Sequence, residues 1–92
     1  MTDFESYVSE QIKLLVPKYD VIELDAAIST KSVSVDFFAT VDGRKMQCFQ
    51  MIDEGLFSEK LFRAVAKAVA AYARTLPDFK QDSINHYNIV LK

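Results

Sequence analysis

One cysteine, one histidine, two glycines and two prolines are all that the 92 residues hold of the types that staple, ligate or break a chain. Cys48 alone cannot close an intrachain disulfide, which suits a reducing compartment. Gly43 and Gly55 stand apart, so no glycine-rich phosphate cradle can form. With so little glycine and proline, the composition is not that of a disordered or low-complexity chain. No apolar run approaches the length of a membrane span. The opening residues, MTDFESYVSEQ, have neither the basic start nor the apolar core of a signal peptide. A net charge of −2 excludes the wholly basic signature of a general nucleic-acid binder, though not a local patch. The expectation is a soluble cytoplasmic protein with no cofactor and no small-molecule substrate.

Half of the residues are apolar, enough for one core in a single domain over 1–92. Thr2 and Glu5 fit a capping box, and Phe4, Val8, Ile12 and Leu15 follow at helical spacing until Pro17 stops the helix. The period then changes to two. Ile22, Leu24, Ala26 and Ile28 form one alternating set, and Val33, Val35, Phe37, Ala39 and Val41 a second, joined by the polar connection Ser29-Thr30-Lys31-Ser32. Asp42-Gly43 predicts a two-residue hairpin turn. That turn sets Val41 opposite Arg44, Ala39 opposite Met46, Phe37 opposite Cys48, Val35 opposite Gln50 and Val33 opposite Ile52. The tail remains open: His86, Asn88 and Val90 alternate as in an edge strand, whereas Ile84, Tyr87 and Leu91 could line a helix. The β-branched pair Ile89-Val90 favours the strand. The expected fold is a two-layer α+β domain, helix–three-stranded antiparallel sheet–helix, with a C-terminal edge strand.

Residues 58–76, SEKLFRAVAKAVAAYARTL, are the most informative stretch. At about 100° per residue, Leu61, Phe62, Val65, Ala68, Val69, Tyr72, Ala73 and Leu76 gather on one side of a helix. Lys60, Arg63, Lys67 and Arg74 gather on the other, along about 21 Å at 1.5 Å per residue. Four cations and one anion, Glu59, give the stretch a charge of +3, so the remainder of this −2 protein carries −5. Ala64, Ala66, Ala70 and Ala71 are expected to leave these cations prominent. The stripe is either a solvating helix surface or a contact for nucleic acid or an acidic partner, and Lys31 in the polar connection is counted with it. A second candidate surface is the outer sheet face, where Phe38, Phe49 and Met51 are more apolar area than a fully solvated face needs. A tail strand or a second copy could cover them, or they could be a hot spot for another protein.

Catalysis has little to work with. Cys48 is expected to face inward as a small buried hydrophobe. His86 has no obvious orienting partner. Glu23 and Asp25, with Asp36 beside them, read as a solvated acidic strand face rather than a metal site.

Two resemblances extend this reading. Ser58-Glu59-Lys60-Leu61-Phe62-Arg63, together with the helix–three strands–helix order, resembles the second helix and layout of double-stranded RNA-binding domains. Lys60 and Arg63 match two basic positions of that family, and Glu10-Gln11 its polar minor-groove residues. Glu59 stands where the first lysine would be, and the connection at 29–32 lacks the family's Gly-Pro and His. The whole chain also resembles the small phage-encoded anti-CRISPR proteins, especially inhibitors of the type I-F surveillance complex, in its length, acidity, element order (helix 3–15, sheet 20–52, helix 58–76) and lack of a catalytic set. That resemblance implies a non-enzymatic, stoichiometric inhibitor that binds Cas proteins or guide RNA and obstructs target-DNA recruitment.

Overall fold

The computed structural model describes residues 2–92. The elements run α1 (Asp3–Lys13), β1 (Val21–Ile28), β2 (Val33–Val41), β3 (Arg44–Gln47), α2 (Cys48–Asp53), α3 (Glu59–Ala73) and β4 (Asn85–Leu91). The four strands form one antiparallel sheet in the order β3-β2-β1-β4. This is the expected α+β architecture, with the tail supplying an edge strand.

Local chemistry sets the boundaries. The capping box at α1 is complete, with Glu5 N–H donating to Thr2 Oγ1 at 3.1 Å and Thr2 N–H to Glu5 Oε1 at 3.2 Å. The Thr2 amide on its carboxylate holds Glu5 below its ordinary pKa. At the hairpin, Asp42 (φ 51°) and Gly43 (φ 81°) both adopt the left-handed conformation that a type I′ turn requires. Asp20 braces the turn from outside, accepting from Gly43 N–H at 3.2 Å. The register Val41↔Arg44 and Ala39↔Met46 follows as expected.

Strand alternation then sorts the side chains. Ile22, Leu24, Ala26 and Ile28 of β1, Val35, Phe37 and Ala39 of β2, Met46 of β3, and Ile89 and Leu91 of β4 are all buried. The helices cover this one side and leave the other to solvent. α3 is fastened at both ends by aromatic rings. Phe62 meets Phe37 and Phe57 at 6.1 and 6.3 Å, while Tyr72 stacks on Tyr7 at 4.7 Å and meets Phe4 at 5.7 Å. Burying Phe62, Val65 and Val69 contributes roughly 1.5–3 kcal/mol each. Ala66 and Ala70 are also buried, contrary to expectation, while Leu61 is exposed. Small side chains let the helix approach its neighbours closely, which turns its buried arc toward them.

The largest departure follows Gln47. β3 ends there, so Phe37, Val35 and Val33 have no partners at Cys48, Gln50 and Ile52, and residues 48–53 coil into α2. Gln47 caps that helix, its Oε1 accepting from Phe49 N–H at 2.8 Å, and its Nε2 donates to Asp36 Oδ1 at 2.6 Å. A continued strand would have driven Gln50 into the core against Val35. The helix buries Cys48 and Met51, three residues apart, and leaves Gln50 exposed.

β4 joins the free side of β1 along Ile22↔Leu91 through Ile28↔Asn85. Asn85 fixes where it starts. Its Nδ2 donates to the carbonyls of Ile28, Lys80 and Ser83, and its Oδ1 accepts from Lys80 N–H at 2.9 Å.

Candidate functional site

The cations of α3 divide into two groups. Lys60, Arg63 and Lys67 project from three consecutive turns and, with Glu59 and Ala64, line a shallow depression of about 400 Å³. Ser58 starts the helix, its Oγ accepting from Leu61 N–H at 3.0 Å. The apolar face then fixes the azimuth of the cations as firmly as the core itself is fixed. Arg63 pairs with Glu59 at 2.9 Å, an exposed i,i+4 contact worth about 0.2–1 kcal/mol. Lys60 and Lys67 form no ion pair among the described residues, so the patch keeps a net positive charge.

Arg74 belongs elsewhere. As the C-cap of α3 it turns its guanidinium onto the β1–β2 turn, with Nε donating to Ser29 O at 2.9 Å and Nη2 to Ser32 O at 3.2 Å. Its role is to hold that turn, and the exposed Lys31 sits on the same turn. The ionic surface at this end is therefore Lys31, with Arg74 as its support.

The apolar patch expected on the outer sheet face is dispersed. Phe38 is there, 40% exposed, with the Lys45 ammonium 5.0 Å from its ring centre and Lys45 bound to Glu23 at 3.3 Å. Phe49 instead rides on α2, half exposed, edge-on to Phe62 at 5.6 Å. Met51 is 2% exposed and part of the core. The turn from strand into helix at Cys48 separates all three.

What the outer sheet face does gather is negative charge. Glu23, Asp25 and Asp36 share it, and Asp25 lies directly opposite Asp36 across the β1–β2 ladder. β4 brings His86 opposite Ala27 and Asn88 opposite Asp25. Asp25, Asp36, Ser34, His86 and Asn88 line a shallow groove of about 360 Å³. No hydrogen bond joins His86 to either carboxylate, and no cluster of three or more His, Cys, Asp or Glu residues among those described could hold a metal ion. Burial pushes the Cys48 thiol up to about 11, with Asp36 adding to the shift, which makes it a poor nucleophile.

Sequence reasoning missed a cleft of about 730 Å³ where Lys13, Lys18 and Lys92 meet Ser6, Ser9, Tyr19 and Asp20. Lys92 reaches it only because β4 folds back beside β1, and no spacing along the chain announces that. Among the described residues no helix is long and apolar enough to cross a membrane. No family model, curated protein or solved structure matches the chain significantly.

Proposed function

We propose that this protein is a non-enzymatic binding protein of the anti-CRISPR kind. On this reading it binds a type I-F surveillance complex in the host bacterial cytoplasm, one inhibitor per site, and blocks recognition of target DNA. The observation that carries the binding role is the rigid basic face of α3, Lys60, Arg63 and Lys67, mounted on the helix whose opposite side is the core. The helix that carries these cations is ordered before association, so only their side-chain freedom opposes the attraction to an acidic Cas surface or to the guide backbone. The acidic outer sheet face, Glu23, Asp25 and Asp36, is a second surface of the sign that a DNA-binding groove attracts. The choice of target rests on the resemblance in length, acidity and the missing catalytic set.

The test is copurification with the surveillance complex, followed by a target-DNA binding assay. The native protein should copurify and abolish DNA binding near stoichiometric ratio. Lys60→Glu/Arg63→Glu/Lys67→Glu should keep its melting profile and bind at least about tenfold more weakly. Failure of the native protein to copurify would refute this function.

A second reading, a divergent double-stranded RNA-binding module, is favoured by one observation. The β1–β2 turn bearing Lys31 is tied to the far end of the basic helix through Arg74. RNA duplex binding without any Cas protein, falling steeply with salt, would select it.

A further inference from the structure

The two edges of the sheet are built differently. At one edge β3 spans four residues, two of them Arg44 and Lys45, before the chain turns into α2. Arg44 is also pinned across the turn to Glu54 at 3.0 Å. Short length, cations and an abrupt exit are the usual devices that keep an edge from pairing with another strand. At the other edge β4 runs seven residues, Asn85–Leu91, paired with β1 on one side only. No loop or turn offers a backbone hydrogen bond to its outer side among the described residues. It contains no proline, lysine, arginine or carboxylate, and its outward Val90 is 56% exposed.

We infer that β4 is a self-association edge, pairing antiparallel with β4 of a second copy about a two-fold axis through Asn88. The occupant follows from how the strand complements itself. Asn88 is the midpoint of the strand, so this register engages all seven residues. Asn88 then meets its own copy, Tyr87 meets Ile89, His86 meets Val90 and Asn85 meets Leu91. Every pair keeps parity: the half-buried Tyr87 covers the buried Ile89 on the inner side, and His86 covers exposed Val90 on the outer side. No like charges are set opposite one another in this register. The result is a continuous eight-stranded sheet in which both helical layers lie on the same side, so the two basic α3 faces point in one direction. This interface is independent of the α3 cations.

Sedimentation of the full chain across a concentration series tests it. The native protein should pass from 10.5 kDa toward twice that mass. Asn88→Lys/Val90→Lys, both exposed positions, should raise the dissociation constant at least about tenfold while leaving the melting temperature of the monomer unchanged. Lys60→Glu/Arg63→Glu/Lys67→Glu should leave it unaltered. A native protein that stays monomeric to about millimolar concentration would overturn the inference. So would a dimer that Asn88→Lys/Val90→Lys leaves intact. Protection of the β4 amides from exchange only when the surveillance complex is added would also overturn it, assigning the edge to a partner's strand.

Discussion

α3 and α2 pack on the same side of the same sheet and are held there by different means. α3 has fifteen residues, a serine cap and an apolar face anchored by rings at both ends. α2 has six residues, fewer than a helix needs to persist on its own. It survives through contacts with residues distant in sequence. Asp36 holds Gln47 in capping position, Met51 is sunk in the core, and Phe49 leans on α3. The longer helix therefore organises the core and has a whole face to spare for a partner. The shorter one depends on the core and spares little.

That contrast can be attacked from the core outward. The largest effect is expected from Val69→Asp, which buries a carboxylate at a site 1% exposed on the inner face of α3. An unpaired buried charge costs at least about 3 kcal/mol, a large share of the stability of so small a domain. Thermal melting should show a lost or strongly lowered transition, and a fully stable variant would break the view of α3 as organiser. A medium effect should separate the two caps. Ser58→Ala should cost about 1 kcal/mol and lower the melting temperature by about 4–8 °C, because α3 cannot fray without the core. Gln47→Ala should speed amide exchange in 48–53 with less effect on global melting. Equal effects on both readouts would erase the distinction.

The smallest perturbation uses Cys48, at the first position of α2. With its pKa near 11 against an ordinary 9.0, its thiolate fraction at pH 8 is about a hundredfold below that of the unfolded chain. Alkylation of the native protein should be slowed by at least that factor. Because the folded value is the higher, this contribution to stability is whole below pH 9 and is lost as pH rises toward 11. Rapid native labelling at pH 8 would show that α2 opens freely.

The same contrast explains what could be read from the chain. α1, β1, β2 and α3 each carry a periodic pattern several turns or pairs long and formed where it indicates, although the buried arc of α3 took in Ala66 and Ala70 and left Leu61 out. The Asp42-Gly43 turn is legible from its residue types. At 48–53 there are too few residues for a period to declare itself. Cys48, Gln50 and Ile52 fit a strand and Cys48 and Met51 a helix, and only Gln50 at a core position spoke against the strand. The tail carries both periods, and the β-branched pair Ile89-Val90 tips it toward the strand that the free side of β1 takes up. Among the candidate binding residues, Lys60, Arg63 and Lys67 follow from helix geometry alone. Arg74 shares their azimuth, but the carbonyls that capture it come from residues 29 and 32, which no helical projection contains. Phe38, Phe49 and Met51 parted because their grouping rested on a strand that ends too soon.

β1, the first strand made, is flanked by β2, made next, and by β4, made last. Ile22 faces Leu91 across about three quarters of the sequence. During synthesis the β1–β2 hairpin can close early, but the other side of β1 must wait until β4 has been made. Until then the open strand is β1, with Ile22, Leu24 and Ile28 uncovered along it. Contacts this distant in sequence also slow folding. The nascent chain stays open to wrong pairing until this seven-residue strand closes the sheet.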